Sequence, residues 1–299
     1  MKSRFTTATV LFWLMVQSAF GQGALMPPGG PAPTMKTLDQ LEPRTPVDAV
    51  HTPGVSGFQY AIMQSGSYYL TTNIVGVSGD TGIYIGTSNV TLDLNGFSVL
   101  GSSGTVYAIY LGTNNSDIII RNGSVSGWIN NVAVYDYAQR VTLEDLHVTG
   151  NVSGLYCPNS TLIRNCVVSD NALGGITIGN DCTVSDCLVE SNGYVGIGLL
   201  LPGGGNVVSG NNVCGNNSNQ TVNAGGIKIG NPNNRIEGNH VTNTGMGGYG
   251  IYATTTNNII IRNTVEGNVD NNYNISFGND VGPIGNASTN ISPWGNISH

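Results

Sequence analysis

From about residue 80 onward, apolar residues recur in short triplets of the form apolar–any–apolar. Ile83–Ile85, Ile109–Leu111, Val132–Val134, Leu155–Cys157 and Ile176–Ile178 come first. Ile197–Leu199, Ile227–Ile229, Ile251–Ala253 and Ile275–Phe277 continue the series. Such alternation marks a strand with one buried face. The starts are separated by 26, 23, 23, 21, 21, 30, 24 and 24 residues, so the triplets belong to a repeat. A second short strand follows most triplets and ends in Asn or Asp, as in VTLDLN, IIIRN, VTLED, TLIRN, CTVSD and RIEGN. A third centres on Val, as in SVSG, HVTG, VVSD, LVES, HVTN and TVEG.

Three strands in so short a repeat cannot bury an apolar face alone. Stacked coils can, because each coil covers the last and the alternate apolar residues fill a shared interior. The expected turn residues are Asn95, Asn122, Asp145, Asn165, Asp186, Asn211, Asn239 and Asn263. Asn and Asp tolerate left-handed backbone, and Asn side chains stacked at one position form amide ladders. A sandwich of hairpins would place strands every 8–12 residues without this triple grammar. The pattern therefore predicts an all-β chain, a single-stranded parallel β-helix of about nine coils. The 30-residue step between Ile197 and Ile227 carries LPGGGN and NSNQTVNAG, which map to outer loops beside Lys228.

Composition agrees with this picture. The chain has 299 residues, 43 Gly and 37 Asn, and charged residues make up only 9% against roughly a quarter in ordinary domains. Strong helix formers are too sparse for a bundle, while 39% apolar residues suffice for a core. Every Asn lies at or beyond Asn73, whereas residues 22–55 are rich in Pro. That shift predicts a leader over 22–55, with a short capping helix in TMKTLDQLE, ahead of a body over 56–299. The start MKSR, the apolar run VLFWLMV and the small residues around Phe20 predict a signal peptide, residues 1–21, cleaved after Gly21. The run is too short to span a bilayer, so a soluble, exported protein is expected, extracellular or periplasmic. Removal of Lys2 and Arg4 leaves 17 acids against 8 bases, a balance of −9. Such a surface argues against nucleic acid and anionic lipid as partners.

The opening GSYYLTTNIVG with GIYIGTSNVTLDLNGFSVLG, the coil RNGSVSGW and the closing NYNISFGNDVGPIGNASTNISPWGNIS resemble exported bacterial right-handed parallel β-helix repeat proteins. The resemblance covers residues 34–299 and implies a right-handed solenoid. The wider pectate-lyase-like superfamily includes lyases, hydrolases and epimerases of polysaccharides as well as non-catalytic binding modules. Fold alone does not choose among them. The motifs of the catalytic relatives are missing. There is no Asn-Thr-Asp with later Asp-Asp and His-Gly, there is no Asp-Pro-His, and the RIEG at Arg235 has Glu where polygalacturonases have Lys.

The middle residue of each triplet should face outward. That row reads Tyr84, Tyr110, Ala133, Tyr156, Thr177, Gly198, Lys228 and Tyr252, with Tyr135 as an alternative to Ala133. Tyr84, Tyr110, Tyr156 and Tyr252 form a candidate stacking platform for sugar rings, and Lys228 a partner for a uronate. The competing reading is that Tyr is simply a good strand residue on a half-exposed surface. A second row, Arg121, Glu144, Arg164 and Ser185, reads as a ladder of exposed ion pairs in preference to a catalytic base near His147 or Asp145. Asp181, Asp186 and Glu190 are carboxylates without a forced pairing. The five cysteines form no CxxC, and Cys166 and Cys187 are expected as buried thiols one coil apart, within reach of a disulfide. His51, His147, His240 and His299 are scattered, so the sequence points to no metal site and no cofactor. Three functions stay open: binding of an extracellular polysaccharide, catalysis on a polyuronide as a lyase or epimerase, and a structural or adhesive role. Oligomeric state is not legible.

Overall fold

The structure, a computed structural model, describes residues 42–299. The expected signal peptide, and the expected short helix up to residue 41, lie outside them. Arg44–His299 form one compact unit. All regular structure in the described residues is β.

Two sheets wind through this unit. The smaller has 11 strands, running from the Pro53–Val55/Phe58–Ile62 antiparallel pair to Asn271–Ile275. The larger has 20 short strands, two from most coils. Every neighbouring pair in the smaller sheet beyond that first one is parallel, as a coiled chain requires. Ten parallel strands in the smaller sheet make ten coils. The one beyond the nine expected is Phe58–Ile62, which pairs with Thr81–Ile85. Within the Pro-rich segment, Thr45–Pro46 already pairs with Gly66–Tyr69 in the larger sheet.

The interior is built from columns of equivalent residues. Val99, Val125, Val148, Val168, Val189, Val213, Val241 and Val265 follow one another in register on successive coils, all fully buried. β-Branched side chains suit this role because they stand stiffly off a pleated face. Trp128 is also fully buried, donates Nε1–H to the Val99 carbonyl at 3.1 Å, and lies so close that a Cβ on Gly82 would approach it to 3.1 Å.

The corners correct one expectation. Asn95, Asn122, Asp145, Asn165 and Asp186 do take left-handed backbone, with φ between 52° and 59°. In later coils that conformation belongs to Gly210, Gly238 and Arg262. Asn211, Asn239 and Asn263 sit one residue further on, point inward and are buried. Two adjacent corner positions therefore share one residue type, and only the second forms the ladder. Asn211 Nδ2 donates to Asn239 Oδ1 at 2.9 Å, Asn239 to Asn263 at 3.0 Å and Asn263 to Asn296 at 3.2 Å. A second ladder runs Asn206–Asn234–Asn258–Asn279 and a third Asn151–Asn171–Asn192–Asn216. Each amide satisfies backbone groups that the corner would otherwise bury unpaired. Cys166, Cys182 and Cys187 occupy inward corner positions of earlier coils as free thiols.

Candidate functional site

The outer face of the smaller sheet carries the expected row, with one change of register. Val134, not Val132, is aligned with Ile109 and Leu155, so Ala133 falls just before the outward-inward alternation, opposite Gly154 of the next coil, and is fully buried. The outward residue of that coil is Tyr135, which closes the gap. Tyr84, Tyr110, Tyr135 and Tyr156 thus stand on four successive coils.

Their rings stack on one another. Centroids are 5.8 Å apart for Tyr84–Tyr110, 5.8 Å for Tyr110–Tyr135 and 4.8 Å for Tyr135–Tyr156. Phe58 extends the stack beyond Tyr84 at 4.4 Å, and Tyr107 lies against Tyr135 at 4.7 Å. Tyr137 meets Tyr135 edge-on, their hydroxyls 2.7 Å apart. Coils repeat about every 4.8 Å, within the range of centroid separations at which aromatic rings stack with an offset, so the sheet itself sets the stacking. The ring faces are largely used by neighbouring rings. What the column offers to a ligand is a strip of ring edges and phenolic hydroxyls, in place of the open-faced platform expected. Burial, reinforced by neighbouring phenols, raises the pKa of Tyr110 and Tyr156, and burial with the Tyr137 hydroxyl bond raises that of Tyr135 further. These hydroxyls stay protonated at neutral pH.

The column is interrupted after Tyr156. Thr177 and Gly198 follow in register, and Leu200 folds over Gly198 so closely that a Cβ there would lie 2.8 Å from its Cδ1. Lys228 and Tyr252 resume the row on the next two coils. The predicted site residues therefore fall into two groups, Tyr84, Tyr110 and Tyr156 in one, Lys228 and Tyr252 in the other. Lys228 Nζ donates to the Tyr194 hydroxyl at 2.6 Å and lies 5.2 Å and 5.6 Å from the Tyr194 and Tyr252 ring centres. Among the described residues, every Arg has a carboxylate partner, and Lys228 is the one lysine and has none. Its charge is held only by aromatic rings and a phenol, which leaves it available to an incoming anion.

The second row forms separate ion pairs and not the expected ladder, because Arg121 turns to Asp93 and leaves the in-register Glu144 to Arg164. Arg121 and Arg44 reach Asp93 at 3.4 and 3.3 Å, and Arg164 Nε donates to Glu144 at 2.9 Å. Asp181 and Asp186 are corner residues with left-handed backbone, and Glu190 lies in Leu188–Glu190, so the three carboxylates occupy separate parts of one coil. Among the described residues no three His, Cys, Asp or Glu side chains converge as metal ligands, and no helix is long and apolar enough to cross a membrane.

Sequence reasoning missed Asp136. It follows Tyr135 and therefore points inward, into the column that holds Leu111 on one side and Cys157 on the other. Asp136 is fully buried, accepts Ala138 N–H at 2.7 Å and the Thr161 hydroxyl at 2.8 Å, and burial lifts its pKa from 3.8 to about 7. The signal available was the wider run VAVYDYA, whose two Val residues allow two frames.

A family model for the right-handed β-helix region matches residues 60–213 and 131–290. The chain belongs to the right-handed β-helix family. This β-helix protein is similar in fold to three solved structures at low identity. The Dettilon tailspike protein shares 14% identity with a TM-score of 0.52, covering 80% of this chain and 59% of that one. DFA-IIIase from Arthrobacter chlorophenolicus A6, solved in complex with GF2, shares 16% with a TM-score of 0.51, covering 72% and 61%. ORF18 of Geobacillus virus E2 shares 14% with a TM-score of 0.51, covering 71% and 52%. The chain thus spans between half and two thirds of these proteins' own lengths. Comparison with curated proteins gives no match.

Proposed function

We propose that this chain is an exported protein that binds an extended polysaccharide along the outer face of its smaller sheet. The observation that carries the reading is the unbroken, in-register column Tyr84–Tyr110–Tyr135–Tyr156, with the unpaired Lys228 beside Tyr252 further along the same row. A row of neutral hydroxyls at coil spacing matches a polymer that repeats hydroxyl groups along its length. Lys228 supplies a contact for a carboxylate or sulfate on that polymer. The basic and apolar start of the chain supports export. The solenoid fold supplies the long flat face that the reading needs.

Affinity electrophoresis against neutral and acidic polysaccharides tests it. The expected result is retardation by at least one polymer, reduced in Tyr110→Phe/Tyr156→Phe, which removes two hydroxyls and keeps the stack. An acidic polymer should also lose affinity on Lys228→Gln and with added salt. Unretarded migration in every gel, or equal retardation of the double variant, would refute the reading and leave a structural or adhesive solenoid.

A further inference from the structure

A second cleft lies on the larger sheet, near the C-terminal end of the solenoid and apart from the tyrosine row. Its volume is about 370 Å³, and Arg235, Ile259, Asp280, Pro283 and Trp294 line it. Arg235, Ile259 and Asp280 are in register on three successive coils. A guanidinium and a carboxylate therefore flank an apolar floor, roughly 10 Å apart along the axis. Ile259 and Trp294 are exposed, 37% and 50%, and both face this cleft. The Trp294 indole is held in place by the Arg262 guanidinium, 4.5 Å from its ring centre.

The charges decide what fits. Arg235 and Arg262 both bind Glu237, and Asp280 pairs with no cation among the described residues. Two guanidinium groups and two carboxylates sum to zero, so neither an anion nor a cation gains a net Coulombic advantage. The cleft combines an indole, an aliphatic floor, a hydrogen-bond acceptor at Asp280 and spare donors on Arg235. A neutral ring with one apolar face and hydroxyls around its rim satisfies all four features.

We infer that this cleft binds one neutral pyranose residue, its C–H face against Ile259 and Trp294 and its hydroxyls on Asp280 and Arg235. The site is independent of the tyrosine row, and either can exist without the other.

The test uses the purified exported protein and a panel of neutral methyl glycosides: glucoside, galactoside, mannoside and N-acetylglucosaminide. NMR follows the Trp294 indole N–H while each probe is raised to about 50 mM, a range that covers millimolar single-sugar affinities. The expected result is a saturable shift with at least one glycoside. It should weaken at least about tenfold in Asp280→Asn, which keeps the shape, and persist in Lys228→Gln. Three results overturn the proposal: no shift with any glycoside, equal glycoside affinity in Asp280→Asn and the parent, or shifts only with acetate, guanidinium or glycine. Because Lys228→Gln and the tyrosine variants leave this cleft intact, its failure and that of the polysaccharide face are read separately.

Discussion

The coils before Asn206 and those after it solve the same corner problem with different side chains. In Asn263, Nδ2 donates to the Ile236 and Ile261 carbonyls, both at 3.0 Å, and Oδ1 accepts the Asn239 N–H at 3.0 Å. In Cys187, at the equivalent position, Sγ donates to the Ile163 and Ser185 carbonyls at 3.9 and 3.2 Å. The thiol copies the amide's donor role weakly and lacks its acceptor. At this corner the later coils are thus locked by an amide ladder and the earlier ones by packing, while the Asn151–Asn171–Asn192–Asn216 ladder serves the earlier coils at another corner. Where a ladder runs, its amides fix the register of the coil.

Removing a ladder amide should produce the largest effect. Asn239→Ala strands the Asn211 N–H and the Val208 carbonyl, bonded at 3.1 and 2.9 Å. At about 1–3 kcal/mol for each buried orphan, stability should fall by about 4 kcal/mol in urea unfolding. A loss below about 1 kcal/mol would break the comparison.

Asp136 has an effect of similar size, and it depends on pH. The native state keeps a proton that the unfolded chain releases above 3.8, so stability falls as pH rises and levels off above about 7. The full penalty is roughly 4 kcal/mol at about 1.4 kcal/mol per unit. In Asp136→Asn, Oδ1 still accepts the Ala138 N–H and Nδ2 donates to the Thr161 hydroxyl, whose proton goes to the Asn159 carbonyl at 2.8 Å, so both contacts survive without the charge. The substitution should stabilise the protein by that order at pH 8 and have little effect at pH 4. Parallel stability curves for parent and variant from pH 4 to 8 would contradict this.

Cys187→Ala repeats the ladder deletion where a thiol stands, and it should cost less than half as much as Asn239→Ala, about 1–2 kcal/mol. Equal losses would mean that the two regions are not distinct. The smallest effect is a gain. Thr244 occupies the ladder position between Asn216 and Asn268, and its buried Oγ1 has no partner. Thr244→Asn should join the two segments and raise stability by about 1 kcal/mol, read as a higher urea midpoint.

Much of this was legible in the sequence, because a solenoid writes its period into the chain. The triplet spacing and the Val columns needed only two-residue alternation. The corners were misread because Asn serves both at the left-handed position, as in Asn165, and at the inward one, as in Asn239. The coil at Val132 was misaligned because VAV fits the apolar–any–apolar pattern and VYD, ending in Asp136, does not; only pairing with Ile109 and Leu155 selects Val134. That two-residue shift leaves the facing of each side chain as it was, but it moves the coil's outward position to Tyr135 and brings the inward Asp136 into the strand. The stacking of Phe58 and Tyr107 on the row, and the cleft at Trp294, depend on side chains from different parts of a coil. No linear spacing encodes them.

The most direct test of the polysaccharide face is aromatic NMR of the protein with isotope-labelled tyrosine, titrated with the polymer that retards it most. The account predicts saturable shifts at Tyr84, Tyr110, Tyr135 and Tyr156, with the largely buried Tyr273 unmoved. Saturable shifts confined to tyrosines outside that column, or binding with no tyrosine shift at all, would contradict it.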